Sequence, residues 1–258
     1  MTTDATGPRR ILILGGTLEA NKLAAALNEQ AVLEVITSLA GRTAKPKAIA
    51  GQVRVGGFGG ADGLKAYLKD QAINLMIDAT HPFAAQISSH AAAAADQAGI
   101  PLLRLCRPAW QAAPNDRWIG VDGLGGAAKA LRDAGSRVLL TTGRQGLGAF
   151  SSLKDHHFVV RLVDAPREAL PLPSYEVELG RGPFSLQEEV ALLERHSIHV
   201  VVAKNSGGPS TAAKLDAART LNLPVIMIER PRAGSMTGHE VETVEAAEAW
   251  IGKNGWLS

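Results

Sequence analysis

The chain has 258 residues, of which 46% are hydrophobic and 20% are charged, which is typical of globular proteins and sufficient for one large or two small α/β domains. Its formal net charge of +2 is too small to indicate a nucleic-acid partner, and aromatic residues that would stack on bases make up only 4%. No apolar stretch approaches the ~20 residues that span a bilayer, so no membrane partner is expected.

The cysteine content and the start of the chain indicate the compartment. Cys106 is the only cysteine, so no disulfide can form within the chain, and we expect a buried thiol in a reducing compartment. Residues 1–10 are polar and lack the apolar core of a secretion signal, which favours a cytoplasmic protein. The sequence does not fix the oligomeric state, and a monomer is the default expectation.

The first part of the chain alternates short apolar runs with helical patterns. The apolar runs, each bounded by turn-forming residues, predict strands at 9–14, 32–37, 52–55, 75–79 and 101–105. The amphipathic and alanine-rich patterns predict helices at 17–29, 64–70 and 83–98, the last of which Gly99 ends. This alternation predicts a parallel sheet with right-handed crossover connections.

A second series follows the segment 107–117, whose two prolines and one tryptophan break the rhythm and indicate a linker. Its apolar runs predict strands at 118–121, 137–142, 157–163, 175–179, 198–203 and 224–229. Its helical patterns predict helices at 125–134, 146–153, 185–196, 210–221 and 241–253. We therefore predict an α/β protein with two Rossmann-like domains, residues 1–112 and 113–258, each built around a parallel sheet.

The loop after the first strand lies where a dinucleotide-binding fold holds a pyrophosphate. Gly15 and Gly16 allow a sharp turn and a close approach to a phosphate, and the following helix offers amide donors. The pattern is G-x-T-x-x-A rather than G-x-G-x-x-G, with Thr17 in place of the second glycine. A tight turn with Thr17 as the helix cap is the alternative interpretation.

The end of the second strand distinguishes between nicotinamide cofactors. An NAD site usually has an acidic residue there for the ribose diol, but residues 36–43 contain none. Arg42 instead offers a cation for a 2′-phosphate, and Ser38 and Thr43 offer hydroxyl groups. The sequence therefore predicts NADP(H) rather than NAD(H), with a solvated Arg42 as the alternative.

The run Asp78–Ala84 offers Thr80 and His81 at the end of a buried strand. Pro82 suits the first position of a helix, with Thr80 or His81 at its cap. His81 is a candidate polar contact or proton carrier, and a purely structural cap is the alternative. No histidine has the spacing to cysteine or carboxylates that a metal site needs, so no metal is predicted.

Cations are concentrated at strand ends in the second half of the chain. Lys204 emerges from a very apolar strand and needs an anionic partner, which Asn205 and Ser206 would help to orient. Arg144 and Arg181 follow two other strands. Because loops after parallel strands meet at one edge of a sheet, these residues predict a basic site for a polyanionic small molecule. A salt bridge from Lys204 to a carboxylate elsewhere in the chain is the alternative.

Taken together, these segments resemble the precorrin-6A reductases of cobalamin (vitamin B12) biosynthesis. The matching segments follow one another in order over nearly the whole chain: Ile13–Ala20, Gly57–Gly60, Asp78–Ala84, Thr141–Arg144, Arg181–Phe184 and Lys204–Gly208. Each motif alone is weakly specific, whereas the ordered set is specific.

The resemblance implies two Rossmann-like domains with NADPH in the crevice between them, and reduction of one double bond of precorrin-6A to give precorrin-6B. Hydride would go to one carbon and a proton to its neighbour, with His81 and Lys204 as candidate catalytic groups and bound water as an alternative proton donor. The residues assigned to the cofactor are Gly15, Gly16, Thr17, Ser38, Arg42, Gly143 and Arg144. The residues assigned to the tetrapyrrole substrate are Thr80, His81, Arg144, Lys204, Asn205 and Ser206.

Two other functions are compatible with parts of the sequence. A methyltransferase that uses S-adenosylmethionine also has a glycine-rich loop after its first strand, but it usually has an acidic residue for the ribose where Thr37 and Ser38 stand. A non-enzymatic NADP-sensing module would usually carry a DNA-binding or effector segment, and none is evident in the sequence. The fold alone excludes neither function.

Overall fold

The computed structural model describes residues 8–41, 48–231 and 238–257, which divide into two compact units. The first unit contains the described residues up to Arg107 together with 238–257, and the second unit is Pro108–Pro231. Each unit is built around a six-stranded sheet, so the predicted α/β class with two Rossmann-like domains is confirmed. Within the described residues, no helix is both long enough and apolar enough to cross a bilayer.

The secondary structure of the described residues alternates strands and helices along most of the chain. The strands are β1 (Arg9–Leu14), β2 (Leu33–Leu39), β3 (Gln52–Val55), β4 (Leu75–Asp78), β5 (Leu102–Leu105), β6 (Arg117–Val121), β7 (Arg137–Leu140), β8 (His157–Leu162), β9 (Tyr175–Leu179), β10 (Val200–Lys204), β11 (Pro224–Ile228) and β12 (His239–Val241). The α-helices are α1 (Leu18–Asn28), α2 (Ala61–Asp70), α3 (Ala85–Ala98), α4 (Leu124–Ala130), α5 (Leu186–Arg195), α6 (Ala213–Thr220) and α7 (Val244–Lys253). Short 3₁₀ turns lie at Leu131–Asp133, Leu147–Phe150 and Pro209–Thr211.

All strand pairs in both sheets are parallel. The strand order is β12-β5-β4-β1-β2-β3 in the first unit and β6-β11-β10-β7-β8-β9 in the second. In the first unit the chain builds β1, β2 and β3 outward from the centre and then returns to build β4, β5 and β12 on the other side. In the second unit β7, β8 and β9 and then β10 and β11 are built in the same way, and β6, the first strand of that unit, lies at the outer edge. The order therefore reverses between β1 and β4 and between β7 and β10. Open α/β folds bind ligands at such switch points, because the loops on either side diverge there.

The predicted domain boundary is wrong for the C-terminal segment. The sequence assigns everything after residue 112 to the second domain, but residues 238–257 lie in the first unit. β12 pairs with β5, and Ala247 and Ile251 of α7 are fully buried in the core that also contains residues of α1. Only Val241 of β12 is partly buried, so no apolar run identifies this strand in the sequence. In the second sheet, β6 takes the corresponding outer position beside β11.

Most other predicted elements end within three residues of their observed ends. The exceptions are helices of the second unit. The helix predicted at 146–153 is a single 3₁₀ turn, and the helix predicted at 210–221 begins as a 3₁₀ turn before α6. The helix predicted at 125–134 becomes a 3₁₀ turn after Ala130. Gly99 ends α3 in the left-handed conformation, with φ of 68°, as predicted.

The two faces of the first sheet carry separate cores because side chains alternate along a strand. Ile11 and Ile13 of β1 pack with residues of α1 and α7, whereas Leu12 and Leu14 pack with residues of α2 and α3. All four side chains are buried, and burial of each contributes about 1.5–3 kcal/mol. This packing fixes β1 in the centre of the sheet and places the loop that follows it at the carboxyl edge.

Candidate functional site

The loop after β1 forms an open glycine turn at the edge of the first sheet. Gly16 has φ of +107°, a conformation that favours glycine, and a side chain added there would meet no atom within 4 Å. A Cβ atom at Gly15 would instead lie 3.0 Å from the side chain of Thr37. The turn therefore packs closely against β2 at Gly15 and is open at Gly16.

Thr17 is the N-cap of α1 and joins this loop to the neighbouring one. Its hydroxyl accepts a hydrogen bond from the backbone N of Ala20 at 3.1 Å and donates one to the carbonyl of Ala79 at 2.8 Å. A hydroxyl has one proton to donate, and Ala79 takes it. The helix-cap interpretation of Thr17 is confirmed, and a phosphate would be bound here by backbone amides rather than by this hydroxyl.

The loop after β4 is organised by a buried carboxylate. Oδ1 of Asp78 accepts hydrogen bonds from the backbone N of Thr80 at 3.1 Å and from its hydroxyl at 2.7 Å. Oδ2 is buried and bonds to none of the described groups. The expectation that Thr80 or His81 caps the next helix is wrong, because α3 begins only at Ala85 and its N-cap, Ala84, makes no side-chain bond.

His81 is exposed at the same edge. Its Nδ1 accepts a hydrogen bond from the backbone N of Phe83 at 3.2 Å, and the two rings lie 5.9 Å apart. A ring nitrogen that accepts carries no proton, so the proton of the neutral ring lies on Nε2. In this tautomer, Nε2 of His81 can donate a hydrogen bond from an exposed position.

A shallow pocket lies where the loops after β1, β4 and β5 meet. It is lined by Thr17, Glu19, Thr80, Pro82, Leu105, Cys106 and Arg107. Arg107 pairs with Glu19 at 2.7 Å, and both side chains are mostly buried, so this pair forms a fixed part of the wall. Cys106 is buried, as predicted.

The ends of β2 and β3 bring a cation to the place where a nucleotide ribose is expected. Ser38 of β2 is the direct partner of Arg54 of β3, and Nη1 of Arg54 donates to Oγ of Ser38 at 3.0 Å. Arg42, the cation predicted for this place, lies outside the described residues. Arg54 is not predicted from the sequence, although it stands two residues before the glycine-rich run Gly56–Gly60, which is a signal for a ligand-binding loop.

In the second unit, a lysine joins the loops after β7 and β10. Nζ of Lys204 donates to the carbonyl of Thr142 at 2.9 Å, across the point where the strand order reverses. Gly143 has φ of +78° and faces open space. Arg144 is exposed and makes no ion pair or hydrogen bond with any described residue. The predicted cations Lys204 and Arg144 are thus brought to neighbouring loops of one sheet edge.

Asn205 and Ser206 are buried and hold the loop that carries Lys204. Oδ1 of Asn205 accepts from the backbone N of Trp110 at 2.8 Å, and its Nδ2 donates to the Trp110 carbonyl at 3.2 Å. Arg230 donates to the backbone carbonyls of Asn205 and Ser206, at 2.9 and 3.2 Å. These contacts fix the shape of the loop, and direct contact of the two side chains with substrate stays a prediction.

A cluster of buried charges beside this loop was not predicted. Arg161 of β8 and Glu189 of α5 form an ion pair at 2.5 Å, and the Glu189 side chain is 1% exposed. Nζ of Lys214, in the first turn of α6, donates to the Thr211 carbonyl and lies 4.8 Å from the ring centroid of Trp110. Burial lowers the pKa of Lys214 from 10.5 to about 8; the Glu189 charge opposes this shift and the Arg161 charge adds to it.

The two sheet edges therefore offer different chemistry. The first has an open glycine turn, an exposed histidine and an arginine, which suit phosphate groups and proton transfer. The second has Lys204 and Arg144, which suit carboxylates. In the described part of the chain, no group of three or more His, Cys, Asp or Glu side chains is arranged to hold a metal ion.

The sequence is similar to one family of known proteins. The sequence model of the family described as precorrin-6x reductase CbiJ/CobK matches residues 10–252. The precorrin-6A reductase of Rhodococcus erythropolis is 50% identical over 243 residues, which cover 94% of this chain and 97% of that protein. The cobalt-precorrin-6A reductase of Priestia megaterium is 30% identical over 237 residues, which cover 86% of this chain and 91% of that protein.

A solved structure has the same overall fold. The structure titled CobK precorrin-6A reductase matches with a TM-score of 0.90 and 45% sequence identity. The match covers 96% of this chain and 97% of that one. The similarity therefore covers both units and includes the sequence as well as the fold.

Proposed function

We propose a reaction and a set of residue roles from one premise: the chain belongs to the precorrin-6x reductase CbiJ/CobK family of cobalamin biosynthesis and is a reductase. The proposed reaction is the reduction of one double bond of precorrin-6A by NADPH, which gives precorrin-6B and NADP⁺. One carbon of the macrocycle receives a hydride and its neighbour receives a proton, so the protein must orient the macrocycle and deliver that proton.

The open turn at Gly16 is the observation that supports a dinucleotide in the first unit. Its positive φ leaves backbone exposed at a switch point, and the N-terminus of α1 adds the positive end of a helix dipole. Gly15 and Gly16 would bind the pyrophosphate, and Thr17 would hold the turn in shape. Gly15 N also donates to the Ser38 carbonyl at 2.9 Å, so Ser38 lies beside this turn, and we assign it to the adenosine ribose.

The absence of an acid favours NADPH over NADH. The described residues from Ser38 to Gly41, at and just after the end of β2, include no carboxylate that would bind a ribose diol. A carboxylate there would also repel a 2′-phosphate, so its absence removes a barrier to NADPH. Arg42 keeps its proposed role as a phosphate contact.

NADPH supplies the hydride when it is bound, and the chain supplies positioning and a proton. Lys204 and Arg144 would bind the acetate and propionate groups of the macrocycle, because charge-assisted hydrogen bonds to carboxylates are the strongest that these side chains make. Asn205 and Ser206 would keep the Lys204 loop in place. Gly143, which faces open space, would leave room for a ligand beside Arg144.

The proton donor is proposed from the same set of residues. Nε2 of His81 carries the proton of the neutral ring because Nδ1 accepts from the backbone N of Phe83, and Nζ of Lys204 is the other candidate donor. Thr80 is held by Asp78 and would contact substrate from a fixed position.

The metal-free macrocycle is the proposed substrate. The relative named for precorrin-6A is 50% identical to this chain, whereas the relative named for cobalt-precorrin-6A is 30% identical. Both names describe the same reduction on substrates that differ by a central metal. The greater similarity to the first group supports the metal-free form.

Anaerobic turnover of the purified protein with precorrin-6A tests the proposal. We expect NADPH to be oxidised in step with formation of a product heavier by two hydrogen atoms, and NADH to react much more slowly. Cobalt-precorrin-6A and S-adenosylmethionine serve as the comparison substrates. Failure of both nicotinamide cofactors to support turnover, or a product heavier by a methyl group, would contradict the proposed reaction.

A further inference from the structure

We propose that Arg54 recognises the 2′-phosphate of the cofactor, with its guanidinium held in place by Phe58 and by the loop that follows β3. This inference rests on the proposed use of NADPH. It concerns a residue of the third strand, whereas the cation predicted from the sequence, Arg42, follows the second.

The position of Arg54 follows from the register of three neighbouring strands. Leu14 at the end of β1 pairs with Ser38 of β2, and Ser38 pairs with Arg54 of β3. Neighbouring strands lie about 4.8 Å apart, so Arg54 lies about 10 Å from the phosphate-binding turn along the sheet edge. In dinucleotide-binding folds the pyrophosphate lies over the first of these strand ends and the adenosine ribose over the second. A 2′-phosphate on that ribose lies beside the third.

Hydrogen bonds hold the guanidinium of Arg54 in place but use only three of its five N–H donors. Nη1 donates to Oγ of Ser38 at 3.0 Å and to the carbonyl of Gly56 at 2.9 Å, and Nη2 donates to the carbonyl of Gly57 at 3.1 Å. An arginine has five N–H donors, so these bonds leave one on Nε and one on Nη2. Those two donors bond to none of the described residues, and they remain available for a phosphate.

The guanidinium of Arg54 also packs against aromatic rings. Its central carbon lies 3.9 Å from the ring centroid of Phe58, and the Phe58 ring in turn contacts Tyr67 edge to face, with centroids 5.2 Å apart. Stacking on a ring and three hydrogen bonds restrict the rotamers of a long side chain before any ligand arrives. A preorganised arginine loses less conformational entropy on binding, and its planar fork matches a phosphate better than a lysine does.

The electrostatic setting also favours an anion. Ser38 accepts from Arg54 through its oxygen, so its own hydroxyl proton is available for a second bond to the same phosphate. The strand end holds no carboxylate among Ser38–Gly41 that would neutralise the arginine. The ligand class that this geometry recognises is a phosphate monoester attached to a ribose.

A purely structural role makes a different prediction. If Arg54 serves only to tie down the loop through Gly56 and Gly57, its loss would weaken every nucleotide equally. If it recognises the 2′-phosphate, its loss would weaken only ligands that carry this group. The ratio of two affinities therefore separates the roles, whereas a single affinity does not.

The experiment measures binding by calorimetry with adenosine 2′,5′-bisphosphate and adenosine 5′-monophosphate as probes, which requires no turnover. We expect the wild-type protein to bind the bisphosphate more tightly, and Arg54→Gln to weaken it at least tenfold with the monophosphate unchanged. Arg54→Lys keeps the charge without the planar fork, so its loss should be intermediate. Arg10→Gln is the matched control, because Arg10 pairs with Glu34 at the opposite end of the same sheet.

The outcomes distinguish this inference from the cofactor proposal on which it rests. A wild-type protein that binds both probes equally would overturn the use of NADPH. A wild-type preference that Arg54→Gln and Arg54→Lys both keep would overturn only the role of Arg54, as would an equal loss for both probes. Thermal melting shows whether the variants fold, and if Arg54→Gln does not, the ratio measured on Arg54→Lys decides.

Discussion

The first and second sheets have the same strand order around their switch points, but the side chains at those points differ. Between β1 and β4, the loops carry an open glycine turn and a threonine whose hydroxyl bonds within the protein. Between β7 and β10, Lys204 joins the two loops and Arg144 lies exposed beside it. The topology thus sets where a ligand can bind, and the side chains set which kind of ligand it is.

The two units also differ in the side chains that are buried next to their central strands. The core on both faces of β1 is hydrophobic. In the second unit, Val159 of β8 packs into such a core with residues of α5 and α6, but Arg161, two residues on, pairs with Glu189 of α5. Lys214 adds a second buried cation to this region. The second unit therefore bears a desolvation cost that the cores around β1 do not.

The largest expected effect tests this buried charge. The pKa of Lys214 is lowered from 10.5 to about 8 by burial, so between these pH values the folded protein has lost a proton that the unfolded chain keeps. Stability then rises with pH in that window, because the unfolded state binds more protons. Between pH 7 and pH 10, the free energy of unfolding should therefore increase by on the order of 2 to 3 kcal/mol because of this group.

Urea unfolding of the wild-type protein and of Lys214→Met at both pH values measures this gain. The variant removes the titrating group at similar volume, so the difference between the two proteins isolates it from every other group that titrates. We expect Lys214→Met to gain less stability between pH 7 and pH 10 than the wild type. A difference that stays constant with pH would show that Lys214 has the same protonation in the folded and unfolded states.

The next largest effect concerns the open turn of the first unit. Gly16→Ala places a side chain at φ of +107°, which costs a non-glycine residue about 1–3 kcal/mol although there is space for it. We expect the turn to relax and NADPH affinity to fall about ten- to hundredfold. Gly99→Ala is the control, because Gly99 also has a positive φ, 68°, and open space around it, but it lies at the end of α3, away from this turn.

Binding of NADPH to both alanine variants by fluorescence titration gives the comparison. Equal losses of NADPH affinity in Gly16→Ala and Gly99→Ala would show that general backbone strain, rather than the conformation of the turn at Gly16, causes the effect. Binding of precorrin-6A should be unaffected by either substitution when it is measured without cofactor. This expectation separates the chemistry of the two edges.

The comparison also shows which features the sequence determines. Apolar runs such as Ile11–Leu14 identify buried strands without knowledge of their neighbours, and the polar residues after them identify the loops at the sheet edge. β12 could not be predicted, because its three residues are mostly exposed and its strand position depends on pairing with β5. Local pattern therefore gives the βα rhythm, while long-range pairing gives the domain boundary.

The same distinction applies to the candidate site. The sequence places Thr17 and Asn205 in the right loops, but their hydrogen-bond partners are distant in the chain: Ala79 is 62 residues from Thr17, and Trp110 is 95 residues from Asn205. Arg54 reaches Ser38 only through the register of two strands. A motif thus predicts that a residue lies at the edge, and the partners decide whether it is available to a ligand.

The smallest of these effects, and the one that most directly tests the second edge, is expected for Lys204. Its Nζ donates to the carbonyl of Thr142, and loss of such a bond costs about 0.5–1.5 kcal/mol of stability. A contact to substrate carboxylates is instead expressed in turnover. We expect Lys204→Ala to lower kcat/KM for precorrin-6A at least about tenfold, which corresponds to roughly 1.4 kcal/mol, with NADPH affinity nearly unchanged.

Lys129→Ala provides the matched control for that measurement. Lys129 is exposed in the last turn of α4 in the same unit, so its removal changes the net charge equally without touching the switch point. Full activity of Lys129→Ala together with reduced kcat/KM and a nearly unchanged melting temperature for Lys204→Ala would place the substrate at this edge. If Lys204→Ala instead keeps full turnover and melts early, the lysine serves to join the loops after β7 and β10. The two edges would then share their topology, but the second would lack its proposed carboxylate contact.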